Sequence, residues 1–437
     1  MPKAIKIFRR LSLGILFVGL IVAVGLFIVT RDEPPPDIND LQPRPRTLPD
    51  SENALASLRA IASEHARQTK ENTAYTDAIA RLLESYETWD TADATLVVNQ
   101  DKEVWPRFDA AIRLPSSETK LPWVPDDFIA IGPLRELWRG AMIRARLTSF
   151  SGQPDVGFEQ VLTTLPAATR ISDSGGVLIE YLTGVSLRSI TISTLRTITV
   201  QTPPSDESLR HSLALLAANR PSVPALIETF KAEYSYAGQA AKEFKKSMQQ
   251  WRQLGEAPPP LKTEWFYKPN QTLRLFADKI RQIFPLIDRP LDALSPLDAP
   301  TPSPALFANL PNPDNSLGRY FIAASSFAYE GVLLARLRDQ TSISLTQVWL
   351  AVILYEREHG DIPESLETLV PSYLPAMPRD YFDGAPIRYS RAYRAVWSVG
   401  KNHFTVVSAD PKVEPSDLYL KLPSDSRTPV PPRTVEH

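Results

Sequence analysis

The chain has 437 residues, 43% of them hydrophobic and 22% charged, which is the composition of a globular protein with a core of its own. Its net charge of -2 provides no field for nucleic acid, and the absence of cysteine excludes disulfides, thiolate metal sites and a cysteine nucleophile together. The 41 prolines are about twice ordinary usage and are clustered, so they mark turns and linkers.

Residues 1–10 are short and basic, with Lys3, Lys6, Arg9 and Arg10. Residues 11–30 follow without a charge, and fourteen of them are Leu, Ile, Val or Phe. A helix of this length matches a hydrocarbon core of about 30 Å, so the stretch is expected to be a transmembrane helix. The basic residues before it place the N-terminus in the cytoplasm and the bulk of the chain on the extracytoplasmic, periplasmic side of the inner membrane. A cleaved signal peptide is the competing reading. Its apolar region would be shorter, about 7–15 residues, and "FIVTRDEPPP" offers no small-x-small cleavage site.

Residues 31–49, including "EPPPDINDLQPRPRTLP", read as a proline-rich linker. A helical domain is expected over 50–293. Asp50 or Ser51 is placed to cap its first helix, and "AYTDAIARLLESYETW" repeats the apolar spacing at three and four. Pro133 sits near the start of another helix, and "SGQPD" turns the chain into "VGFEQVLTTLPAATRI" to form an antiparallel helical hairpin. Further helices are expected at about 176–200, 205–219, 222–253 and 270–288. The hairpins suggest a repeat array, but no 34-residue period is present, so the expectation is an irregular all-helical domain.

A second proline-rich connector covers 294–315. From Ser316 to His359 runs a helix pattern whose weakest point is "DQTSIS", residues 339–344, where a break is plausible on propensity. Gly360 is suited to end it with positive φ, and Pro363 starts the next short helix where its missing N–H costs nothing. Pro371, Pro375 and Pro378 hold the chain extended, "FDGAP" turns it, and "PIRYS" with "AYRAVWSVG" reads as a β-hairpin. The fold class is therefore mainly α, with a transmembrane helix, a helical ectodomain and a small C-terminal α+β module over 316–410. A proline-rich, flexible tail is expected over 411–437.

In order and spacing, residues from about 345 to 400 resemble the C-terminal module of type II secretion major pseudopilins. The matching positions are His359, Gly360, Pro363, Leu369, Pro378, Asp380, Phe382, Gly384, Pro386, Tyr389, Ser398 and Gly400. The resemblance implies a short helix leading through a Pro-x-Asp-x-aromatic-Gly turn into a small sheet, and a place beside a secretion apparatus. The chain as a whole also resembles uncharacterised bacterial membrane-anchored proteins in which a helical domain precedes such a module. Gly19 stands where a pseudopilin has its processed-segment glutamate, and Lys401, Asn402 and His403 replace the acidic calcium loop. Calcium is not carried over, and no cofactor is expected.

Catalytic patterns are sparse. The five histidines, His65, His211, His359, His403 and His437, fall in unrelated segments, and Ser174-Gly175-Gly176 lacks the Lys-Ser/Thr of a phosphate loop. Glu356 and His359 share a helix face at i, i+3, a spacing also met at any exposed helix end. Glu180, Glu228 and Glu233 would form an acid–base set if folding gathered them in one pocket, and would otherwise be solvated or interhelical carboxylates. "WFYKP", residues 265–269, reads as an aromatic plug or a ligand groove, and "KAEYSYAGQAAKEFKKSMQQWRQ" as a solvated face or a membrane-surface contact. The expected function is a non-catalytic scaffold or binding protein of the cell envelope, its partners the membrane and envelope or secretion proteins. The alternatives are a secretion-associated pseudopilin-like component and an envelope-polymer hydrolase. The sequence names no catalytic, cofactor or metal residue and no small-molecule ligand.

Overall fold

The computed structural model describes residues 17–25, 27–28, 30–84, 89–100, 102–120, 130–253, 267–297, 315–401, 418–424 and 428. The fold is mainly helical with a three-stranded sheet, but the expected transmembrane helix is not part of it. Among the described residues no helix is long and apolar enough to cross a membrane. Residues 17–25 are helical with exposed apolar side chains, Phe17 at 64% and Leu20 at 60%, while 11–16, 26 and 29 lie outside the described residues. Residues 27–28 and 30 are helical as well.

The α-helices are α1 Ala54–Thr69, α2 Thr73–Glu84, α3 Thr91–Gln100, α4 Trp105–Arg113, α5 Ile131–Phe150, α6 Pro154–Leu162, α7 Thr164–Ser172 and α8 Leu178–Gln201. They continue as α9 Asp206–Ala218, α10 Val223–Gln253, α11 Pro269–Ile283 and α12 Ser316–His359. The strands are β1 Arg388–Ser390, β2 Ala395–Trp397 and β3 Tyr419–Lys421. The chain divides into two compact units.

The first unit comprises Met1–Gln42, Tyr234–Phe284 and Pro296–Glu330. Its centre is α11, where the Phe276 ring stacks on Tyr234 at 5.5 Å and meets Tyr329 at 6.0 Å. The start of α11 is capped from far away in sequence: the Asp32 carboxylate accepts from the backbone N–H of Asn270 (2.7 Å) and Gln271 (3.2 Å). A carboxylate there satisfies orphan donors and complements the helix dipole. Glu33 pairs with Arg274 and Asp40 with Arg281, so the stretch after residue 31 is held along a helix.

The second unit comprises Pro43–Glu233, Pro285–Ser295 and Gly331–His437. Asn53, rather than Asp50 or Ser51, caps α1, its side chain accepting from the N–H of Leu55 and Ala56. Asp50–Glu52 instead forms a single 3-10 turn. The SGQPD turn opens through Gly152 (φ 85°), and Pro154 begins α6, which packs back on α5. Glycine sets that approach: a Cβ on Gly157 would lie 2.3 Å from the Ala145 carbonyl oxygen of α5. Gly184 does the same for α7 and α8, with the Ser172 nitrogen 2.3 Å from the position of a Cβ. Helix α8 is buried along most of its length although rich in Ser and Thr. Thr183, Thr194 and Thr199 return their hydroxyl protons to carbonyls four residues back, so each is buried at little polar cost.

Helix α12 spans 44 residues, about 65 Å at the usual rise, with no break at 339–344. Asp339, Gln340, Thr341, Ser342 and Ser344 all find partners from other elements, and that tertiary bonding outweighs their weak helix propensity. Gly360 (φ 83°) ends the helix as expected. The hairpin forms with Tyr389 opposite Val396, and β2 pairs on its other side with β3, placing Val396 opposite Leu420. β3 comes from the stretch read as a flexible tail. Leu418 and Leu422, which flank it, are buried, and Trp349 Nε1 of α12 donates to the Lys421 carbonyl at 3.0 Å.

Candidate functional site

Part of the stretch that carries the pseudopilin resemblance, from Pro378 to Gly400, is organised about one fully buried carboxylate, Asp380. Its Oδ1 accepts from the Phe382 N–H (3.0 Å) and faces the Thr341 hydroxyl on α12 at 3.5 Å. Its Oδ2 accepts from Arg388 Nη1 (2.8 Å) and from the Val399 N–H at the end of β2 (2.9 Å). Its backbone closes the turn: Asp380 N donates to Ala385 O at 2.7 Å, and Gly384 N, at φ 78°, donates to Asp380 O at 2.8 Å. Arg388 also pairs with Asp383. Around this hub, Ile387 N donates to the Pro378 carbonyl, Arg379 bridges to Pro386, and the Tyr389 hydroxyl donates to the Pro363 carbonyl at 2.7 Å. Gly400 (φ 59°) receives the strand end, its N–H donating to the Ser398 hydroxyl. One carboxylate thus ties helix, turn and sheet together, and every bond it makes is structural.

The three glutamates considered as an acid–base set are each engaged elsewhere. Glu180, with 2% of its side chain exposed, pairs with Arg59 and accepts from the Thr119 hydroxyl at 2.6 Å, while Thr119 in turn meets Ser174 at 3.0 Å. The glycine pair fits this lodging, since a Cβ on Gly176 would strike the Glu180 carboxylate. Burial pushes Glu228 up, but the Arg44 N–H and Lys231 more than offset it and hold its carboxyl below the ordinary range. Burial raises Glu233, opposed by the Leu178 N–H at 3.1 Å, which it caps at the first residue of α8. These carboxylates cap a helix and neutralise cations.

The histidines are similarly occupied. His65 meets the Tyr75 hydroxyl at 3.2 Å, His211 pairs with Glu159, and His359 stacks on Tyr355 at 4.1 Å. Glu356 pairs with Arg394, not with His359. His403 and His437, and Trp265 and Phe266 of the aromatic cluster, lie outside the described residues. Tyr267 is buried and donates to the Ala241 carbonyl at 2.7 Å. Side chains from 244 to 253, which include most of the basic face of α10, also lie outside the described residues.

The polar face of α12 was not singled out by the sequence. Arg188 of α8, fully buried, places Nη2 2.6 Å from Asp339 Oδ2 and donates further to Thr169 and Ser172. Burial alone would lower Arg188, but Asp339 prevails and its guanidinium is raised. Nearby, burial lifts the Asp173 carboxyl to about 6, against the pull of the Ser222 N–H, Arg188 and Arg336. Arg196 bonds only uncharged oxygens of Ser342 and Thr346, and burial brings its guanidinium down to about 10. Arg220 contacts Gln340, Ser344, Gln347 and the Tyr381 hydroxyl, again all uncharged. Pairs 120–160 residues apart leave no local signal. The only hint was a polar run, Asp339 to Ser344, inside an otherwise apolar helix.

No family model, no characterised protein and no solved structure matches the chain.

Proposed function

We propose that this chain is a non-catalytic scaffold or binding protein of the cell envelope, in which the helical layer holds the C-terminal module as a docking element. The observation that carries this reading is how the buried charges are used. Asp380, Asp339, Glu180 and Glu233, the groups best placed for chemistry by type and burial, bind helix, turn and sheet to one another. Buried charges with such partners specify one arrangement of elements, which suits a surface that must keep its shape. The envelope assignment rests on the pseudopilin resemblance of residues 345–400. A second reading, a secretion-associated pseudopilin-like component, draws on the same resemblance, and the closed turn about Asp380 gives a physical reason for its proline, aspartate and glycine positions.

The test is crosslinking capture from intact cells with a C-terminally tagged chain and two surface variants. Deleting everything beyond residue 315 is unsuitable, because it removes Asp339 and strands Arg188 in the core. Tyr393 (43% exposed) and Arg391 lie on the hairpin, and Leu96 (38% exposed) lies on the helical layer. The reading expects Tyr393→Glu with Arg391→Glu to lose the partners that Leu96→Glu keeps. Capture of the same partners by all three chains would sink the docking role of the module. Recovery of secretion components among the lost partners would favour the second reading.

A further inference from the structure

Two guanidinium groups of the second unit flank one ring, and a third is linked to them. Arg379 lies over the Tyr381 ring at 4.4 Å and Arg220 at 5.9 Å, two cations on one aromatic side chain. Arg220 and Arg336 are linked through Gln340 and the Pro221 carbonyl: Arg220 Nη1 donates to Gln340 Oε1, while Gln340 Nε2 and Arg336 Nη2 both donate to Pro221 O at 3.3 Å. The carboxylate that meets this group is Asp288, on the segment after α11, 3.1 Å from Arg379 and 3.8 Å from Arg336. Arg379 and Asp288 are both about half exposed, so the group opens to solvent there. Arg336 has 2% of its side chain exposed, and its Nε and Nη1 complete no hydrogen bond of ordinary geometry among the described residues. The Tyr181 hydroxyl faces the Arg336 guanidinium and interacts with it.

Arg379 and Arg336 share one half-exposed carboxylate, Asp288, while Arg220 meets uncharged groups and Asp173 acts on Arg336 from within the core. Guanidinium forks suit the oxygens of phosphate and carboxylate. We propose that Arg220, Arg336 and Arg379 form a binding site for a small oxyanion, a phosphate- or carboxylate-bearing ligand, which Asp288 occupies in its absence. The ligand competes with Asp288 for Arg379. The site is independent of the scaffold reading.

The test uses the full chain, inorganic phosphate as the probe, and potassium chloride at equal ionic strength as the control. Thermal unfolding and the Nε–H resonances of the arginines are followed through the titration. Phosphate is expected to give a saturable shift that chloride does not reproduce. Removing the competitor with Asp288→Asn should tighten phosphate binding by roughly threefold. Arg379→Gln should weaken it by about tenfold. Both positions are half exposed, so the variants keep the core, which an Arg336 variant would not. Equal responses to phosphate and chloride, or an affinity unchanged by Asp288→Asn, would overturn the site. A response to a glutamate-rich peptide with none to phosphate would overturn its assignment to a small ligand.

Discussion

Two polar regions of the second unit face the same problem of buried charge and solve it differently. At the start of α8, carboxylates meet matched donors: Glu180 pairs with Arg59 and Thr119, and Glu233 caps the Leu178 N–H. Along α12, Arg196 and Arg220 meet uncharged oxygens among the described residues. The first region is a closed arrangement that fixes a helix start. The second holds α12 through the buried Arg188–Asp339 pair and through neutral partners of Arg196 and Arg220. Whether a buried charge is structural or available is decided by its partners, not by its depth.

The comparison breaks most readily at Arg188 and Asp339. Arg188→Met strands a buried carboxylate and is expected to cost about 3–5 kcal/mol in urea unfolding. Arg188→Met combined with Asp339→Leu should recover most of that loss, because the uncompensated charge is gone. If the double variant were as unstable as the single ones, packing rather than charge would hold the seam.

A smaller effect is expected from pH. The Asp173 carboxyl is raised from 3.8 to about 6, so the folded chain holds that proton more tightly than the unfolded one. Its contribution is therefore fully present below about pH 4 and is lost as pH rises to about 6, by at most about 3 kcal/mol. Asp173→Asn should remove this slope from a series of unfolding curves.

At the start of α8, Glu180→Gln should cost about 1–3 kcal/mol by removing the charge that the buried Glu180 carboxylate brings to Arg59 and Thr119. Arg220→Gln, which removes a cation that meets uncharged oxygens among the described residues, should cost about 1 kcal/mol or less. The order of these two sharpens the comparison, and their reversal would mean that α12 depends on Arg220 for stability. The smallest effect is expected at Arg391→Ala. Its partners Asp361 and Glu364 are largely exposed, and loss of the pairs should be worth about 0.5 kcal/mol.

Much of the helical layer was legible in the sequence because its signals are local. The expected helices at 176–200, 205–219 and 222–253 correspond to Leu178–Gln201, Asp206–Ala218 and Val223–Gln253. Glycines at 152 and 360 and the hairpin after Pro386 mark their turns by chemistry that needs no distant partner. The transmembrane helix expected over 11–30 is not found among the described residues, where no helix is long and apolar enough to cross a membrane. β3 was missed because three residues in a proline-rich stretch become a strand only through pairing with β2. The capping of α1 by Asn53 was missed because Asp50 and Ser51 offer equivalent side chains, and the choice falls to a residue that also binds the Glu118 carbonyl at 2.7 Å. Of the C-terminal motif, the positions were legible, but the bonding of Asp380 to Thr341 and Val399 was not.

The central claim is that the helical layer and the C-terminal module form one unit, keyed through the polar face of α12. Trp138 reports on the helical layer, where its Nε1 donates to Thr191, and Trp349 reports on the module, where its Nε1 donates to Lys421. The most direct measurement is urea unfolding of wild type and Arg188→Met, followed at each tryptophan in turn with the other indoles labelled differently. One shared transition, shifted equally at both probes by the substitution, is the predicted result. Separate transitions, with Arg188→Met moving only one of them, would contradict it.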